Sequence, residues 1–332
     1  MAIKCLGAAL IEELAQPSSC DNIDQSPTTP SSSILRQVGR FGYFKVIAEV
    51  SKFLWDDLAV ALILCLAILR FDKEFAKAIG PELLLPILGI AISVFTSFRN
   101  SQAYGRWWEA RTLWGSLVNE SRNWRNSLYT LLGNGQKAEA LIRPLLERHV
   151  LLIWTINNEL RRRPHAHTTK AIAQLAAETN NQNATSQELF LQQSLAIQLL
   201  FSEQSITDFS RLQLMKVQDD ITNSLGGLER IRNEPLPSSY DVFIRLSVWA
   251  FGILLFMRIA AAYQAFGAIT GFLIMAGFIT AERLGAYIEQ PFAEPSLSLP
   301  MNRLCSVITN NLLGSSHPLA TPPENEQSTI WT

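Results

Sequence analysis

Two apolar stretches, Phe53 to Phe98 and Val242 to Thr280, do most to limit what this chain can fold into. Crossing about 30 Å of hydrocarbon takes roughly 20 apolar residues as a helix, because only helices and closed barrels satisfy their own backbone there. The first stretch divides into Phe53 to Leu69, with Asp56 and Asp57 near its start, a charged turn from Arg70 to Lys77, and Ile79 to Phe98. The second is interrupted only by Arg258 and Gln264, which leaves room for two spans and a tight turn. Each stretch reads as a helical hairpin. The expectation is an all-α integral membrane protein with four transmembrane helices, at about 53–69, 79–98, 242–258 and 261–280.

Composition agrees with lipid as part of the solvent. Charged residues are 17% of the chain, against roughly 25% in soluble globular proteins. A net charge of −1 advertises neither nucleic acid nor an acidic substrate. Cys5, Cys20, Cys65 and Cys305 lie far apart with no CxxC pair, so neither a zinc ribbon nor a disulfide framework is indicated. At the N-terminus an apolar run from Cys5 to Ile11 meets Glu12 and Glu13 where a signal peptide needs a small-residue cleavage site. No cleaved signal is read there. Residues 1–35, rich in Ser, Pro and Thr from Gln16 to Ser33, read as a flexible tail, and Asp21 and Asp24 add to the case against a plastid transit peptide.

Residues 99–240 carry many charges and several helical patterns, among them Leu141 to Leu160 and Leu189 to Leu228, with apolar residues at three- and four-residue steps. Residues 164–186 are polar and read as a mobile loop. Arg99, Arg106, Arg111, Arg122 and Arg125 crowd after the second span, Arg36, Arg40 and Lys45 precede the first, and Arg230, Arg232 and Arg245 border the third. The positive-inside rule then puts this region and both termini in the cytoplasm.

The second span holds the candidate site. Gly80 and Pro81 make a helix start, and Pro86 a kink. Gly89, Ser93 and Ser97 recur every four residues, a small-residue stripe along which membrane helices approach closely. Beside it Ile90, Val94 and Phe98 make a bulky apolar stripe with the same step. A ring of identical helices needs one ridge to touch and another to constrict, so the pair suits a pore. The plainer alternative is that any spanning helix presents such stripes. Trp107 and Trp108 among arginines read as interfacial anchors, and Glu109 as a partner for Arg106 one turn away.

Three ordered motifs carry a family resemblance. The run from Gly89 through Arg99-Asn100, Tyr104 and Arg106-Trp-Trp-Glu-Ala-Arg111 to Trp114 resembles the signature of the bacterial bestrophins. Leu228-Glu-Arg-Ile-Arg-Asn-Glu-Pro-Leu-Pro-Ser-Ser-Tyr240 resembles the family's segment before the third span, and Gly285-Ala-Tyr-Ile-Glu-Gln-Pro-Phe292 its post-membrane motif. The resemblance covers about Arg36 to Leu313, so one channel domain over 36–313 is expected, with a tail at 314–332. It implies a passive ion channel of the bacterial inner membrane, a homopentamer around one axial pore. Its neck falls on Ile90, Val94 and Phe98, packed through Gly89, Ser93 and Ser97. A second, cytosolic aperture falls on Leu236, with Glu234 near the same mouth. Chloride conduction is the family-level expectation and cation selectivity the alternative. Partners are other copies, lipids and permeant inorganic ions, with no cofactor, metal or nucleic acid.

One segment departs from the family. Ala293 to Pro300 has Pro295 and Ser298 where acidic residues are usual. Glu294 alone does not supply the six to eight oxygen ligands of calcium, so the calcium clasp of the animal members is not expected. Two readings from other classes stand against the channel. A membrane enzyme needs convergent polar groups such as His165, His167 and Glu159, and a scaffold needs a partner for its cytosolic helices. Arg258, between the last two spans, is expected to snorkel outward.

Overall fold

Helices account for nearly all of what the computed structural model describes, residues 40–70, 84–161, 166–293 and 299–321, and no strand occurs among them. In chain order they are α1 (Arg40–Ile68), α2 (Leu84–Leu132), α3 (Gln136–Arg161), α4 (Ala166–Glu178), α5 (Ser186–Ser202), α6 (Asp208–Asn233), α7 (Ser238–Ile288) and α8 (Met301–Leu313), followed by a 3₁₀ turn at Pro318–Ala320. Apart from its first turn, α1 and all that follows belong to one compact unit, Phe44–Thr332.

Two of these helices, α2 and α7, are long and apolar enough to cross a membrane. At 1.5 Å per residue a helix of 49 residues is about 70 Å long, twice what hydrocarbon needs. So α2 continues without a break from its apolar half into the polar lobe, carrying the candidate neck on a rod rooted in that lobe. Pro86, expected as a kink, is the third described residue of α2, and the turn before it lies outside the described residues. The expected start at Gly80 and Pro81 lies outside the described residues.

The α7 segment is two antiparallel helices meeting at Tyr263 and Gln264, whose backbone leaves the helical region, Gln264 at φ 51°. Small residues let the two halves close. A Cβ on Gly252 would stand 2.7 Å from Met275 Cγ, and one on Gly271 3.2 Å from the Phe256 backbone. Ala61 and Cys65 of α1, Ile92 of α2, and Ile244, Val248, Phe251, Phe256, Met275 and Ile279 of α7 form the apolar cluster at this end.

The lobe has its own, larger core. Trp114, Leu117, Trp124 and Leu128 of α2 are fully buried with Ile142, Leu146, Val150, Ile153 and Trp154 of α3. Trp154 Nε1 donates to Thr309 Oγ1 of α8 at 3.1 Å, which satisfies a donor that burial would otherwise orphan. His149 lies wholly inside, with Nε2 2.9 Å from Ser121 Oγ and the ring stacked on Trp124. Burial pushes its pKa down to about 4, so it stays neutral.

Three expectations need correction here. The polar stretch 164–186 contains α4: its Ala-rich sequence favours helix, and Leu175, 2% exposed, anchors it on the lobe. The pattern from Leu189 to Leu228 is two helices, because Gln204 takes a positive φ of 58° and Thr207 caps a new N-terminus by accepting from the Ser210 amide. The tail from 314 onward returns to the lobe at Leu319, 2% exposed in the core.

Candidate functional site

Along its apolar half α2 has two faces. Ile92, Thr96, Arg99 and Ala103 are buried against the rest of the chain, whereas Ile90, Val94 and Phe98 are 68%, 47% and 62% exposed. The exposed stripe runs over eight residue steps from Ile90 to Phe98, about 12 Å of helix. Gly89, Ser93 and Ser97 divide between these faces. Gly89 packs inside the chain, since a Cβ there would stand 3.0 Å from Phe251 Cζ. Ser93 and Ser97 are exposed, and the Ser93 hydroxyl donates back to the Gly89 carbonyl at 2.7 Å. Among the described residues, chain-internal packing therefore leaves this apolar stripe and the two serines beside it largely exposed.

Arg99 follows Phe98 directly and ends the stripe. Its side chain is 1% exposed, so it is no headgroup anchor. The guanidinium donates to the Glu282 carbonyl at 3.0 Å, contacts the Asp241 carboxylate, and lies 3.5 Å from Glu289 Oε2 and 3.9 Å from Glu282 Oε1. Next to it Asn100 Nδ2 donates to the Ala281 carbonyl at 3.0 Å. A Cβ on Gly285 would overlap Asn100, so α2 and α7 can come this close only with glycine there. A second ionic group stands on the same side of α7. Asp57 of α1 accepts from Arg245 at 3.1 Å and contacts Arg283. The sequence reading missed these partners. The available signal was an arginine at the edge of an apolar run, which requires carboxylates from elsewhere, and Asp56, Asp57, Asp241 and Glu282 are acidic residues in or beside apolar runs.

Leu236 lies on the short link between α6 and α7, half-buried, between Pro235 and Pro237. Two side chains hold that link. Arg106 of α2 donates from Nη1 to the Glu234 carbonyl at 2.6 Å and from Nη2 to the Ile231 carbonyl at 2.7 Å, meeting acceptors that the end of α6 leaves open. Glu289 Oε1 accepts from the Leu236 amide at 3.3 Å. Arg106 therefore does not pair with Glu109, whose carboxylate contacts Arg230 instead. With Arg230 so engaged, the exposed Glu234 carboxylate has no ion pair among the described residues. Trp107 packs on the lobe core and Trp108 is exposed, and the Tyr104 ring stacks against both.

Of the residues of the enzyme reading, Glu159 is the one whose side chain is described. Glu159 accepts from the Ser186 amide at 2.9 Å and hydroxyl at 2.6 Å, so it holds the start of α5. His165 lies outside the described residues, and so do Glu294, Pro295 and Ser298 of the segment compared with the calcium clasp. Among the described residues no group of His, Cys, Asp and Glu is arranged to hold a metal.

With this geometry in hand, known proteins supply comparisons. A family model described as bacterial/fungal bestrophin protein matches residues 36–314. A protein of Escherichia coli K12 named voltage-dependent anion channel-forming protein YneE is 29% identical over 231 residues, 68% of this chain and 74% of that one. A Synechocystis protein of the same description is 23% identical over 250 residues, 73% of this chain and 78% of its own. Among solved structures, a bacterial bestrophin homolog from Klebsiella pneumoniae superposes with a TM-score of 0.67 at 23% identity, covering 79% of this chain and 98% of its own. A single-residue variant of that homolog gives 0.68 at 24%, covering 78% and 97%.

Proposed function

We propose, since this chain belongs to the bacterial and fungal bestrophin family, that it is a passive anion channel, chloride foremost, built as a homopentamer around one axial pore. The observation that carries this reading is the stripe of Ile90, Val94 and Phe98, left exposed along about 12 Å of a helix whose opposite face is buried. Contiguous exposed apolar surface marks a place where something else belongs. In a ring of copies the stripe faces the axis and excludes water and ions by dewetting, while the serines beside it let neighbouring helices close. Leu236 forms the second ring. The name carried by relatives such as YneE supports anions. We place the channel in the bacterial inner membrane with the lobe, 99–240 and 281–313, and both termini on the cytoplasmic side. Helices that supply structure rather than a reactive cluster fit a conductor better than an enzyme.

Reconstituting the full chain in planar bilayers under a potassium chloride gradient tests this. Discrete currents reversing toward the chloride equilibrium potential are expected. Reversal toward potassium would overturn the anion assignment, and silence the channel itself.

The cation alternative has one observation in its favour, the exposed Glu234 carboxylate beside Leu236. Five copies would put a negative ring at the mouth, which favours cations. Glu234→Gln is therefore expected to move the reversal potential further toward chloride. An unchanged reversal potential would place that carboxylate away from the ion path.

A further inference from the structure

Prolines 235 and 237 carry no backbone N–H, so the Leu236 amide is the only donor in the Pro235-Leu236-Pro237 segment. That one donor goes to Glu289 Oε1 at 3.3 Å. Glu289 caps the end of α7, 53 residues further along the chain, and its side chain is only 13% exposed. Its other oxygen, Oε2, lies 3.5 Å from the Arg99 guanidinium, and Arg99 adjoins Phe98 on α2. Upstream, the Glu234 carbonyl is held by Arg106 of the same helix at 2.6 Å. The peptide groups on both sides of Pro235 are thus fixed by side chains, while the two prolines fix their own φ angles near −65°.

From this we infer that Glu289 is a positioning residue for the second constriction: its carboxylate bridges Arg99 at the end of the neck helix to the single free amide of Pro235-Leu236-Pro237, and so sets where Leu236 points. The inference rests on Leu236 lining the ion path, as proposed above. Glu289 touches no permeant ion in this account. It acts through the backbone of Leu236. Loss of its carboxylate leaves the link with one tether, at Glu234, and lets the leucine turn away from the axis.

The test is relative permeability to monovalent anions of increasing radius, measured with the full chain in planar bilayers. Leu236→Ala relaxes the size series, with a severalfold rise in the relative permeability of the largest anions. Glu289→Ala gives the same relaxation, and adding it to Leu236→Ala gives no more than either alone. Glu289→Gln, which keeps an acceptor oxygen for the amide, restores most of the discrimination. Where Glu289→Ala does not assemble, Glu289→Asp keeps the charge, withdraws the reach, and takes its place. Hydrogen exchange at the Leu236 amide supplies a reading independent of current, slow in the wild type and faster in either variant. A wild-type size series and a protected amide in Glu289→Ala or Glu289→Asp, with Leu236→Ala relaxed, overturn this inference and leave the pore reading standing. A wild-type series in Leu236→Ala overturns both.

Discussion

Replacing Ile90, Val94 and Phe98 together by alanine raises single-channel conductance or open probability severalfold and leaves the protein assembled. Truncating a buried Ile or Phe costs about 2–5 kcal/mol each, because a cavity is left that the core cannot fill. These three are 47–68% exposed within the chain, so little of that penalty applies. What the alanines remove is the apolar constriction. A wider, less apolar neck stays wetted, and ions persist in it. Recording from purified wild-type and triple-mutant protein, with size-exclusion profiles alongside, gives the answer. Unchanged currents would move the pore elsewhere on the molecule, and loss of assembly would make the stripe an interface instead.

Arg99→Ala has the opposite character: it is expected to cost stability before it alters current. The guanidinium is 1% exposed and faces Asp241, Glu282 and Glu289, and the Glu282 side chain is itself 1% exposed. Removing one partner of a buried ion pair leaves the other charge uncompensated, at about 3–5 kcal/mol. For a protein this size that corresponds to a fall of roughly 10 °C in the unfolding temperature. Arg99→Lys recovers little, because one ammonium cannot reproduce the guanidinium's separated donors toward a carbonyl and several carboxylates. Thermal unfolding and the yield of assembled protein in detergent report the effect. An unfolding temperature equal to the wild type's would contradict the structural role given to this cluster.

The contrast between these two positions shows how far the sequence could be read. Local periodicity sufficed for α2: a step of four residues from Ile90 to Phe98 marked a continuous stripe, and the structure leaves that stripe exposed. Local rules also explain why the partners of Arg99 went unread. An arginine past an apolar run ordinarily reaches for headgroups, and the contacts that bury this one come from residues 142, 183 and 190 positions away. No spacing rule reports partners at that distance. The same holds for Gly285, whose missing side chain matters only because Asn100 occupies the space. Residues 164–186 failed for a different reason. Polarity was taken for irregularity, whereas Ala171, Ile172, Leu175 and Ala176 give α4 a packed face and its helix-favouring composition does the rest. In the link, Leu236 was singled out through the family resemblance rather than by any local rule, and Glu289 as its acceptor had no local signature either.

Val94→Cys tests directly whether the α2 stripe lines the ion path. A charged thiol-specific reagent is applied during bilayer recording, with the wild type, which carries Cys5, Cys20, Cys65 and Cys305, as the control. A side chain in the middle of the constriction is reached from the pore water when the channel is open, and a permanent charge there changes the passage of ions. Irreversible alteration of the Val94→Cys current, absent from the wild type, is the predicted result. A Val94→Cys channel that conducts normally and is untouched by the reagent would contradict the account.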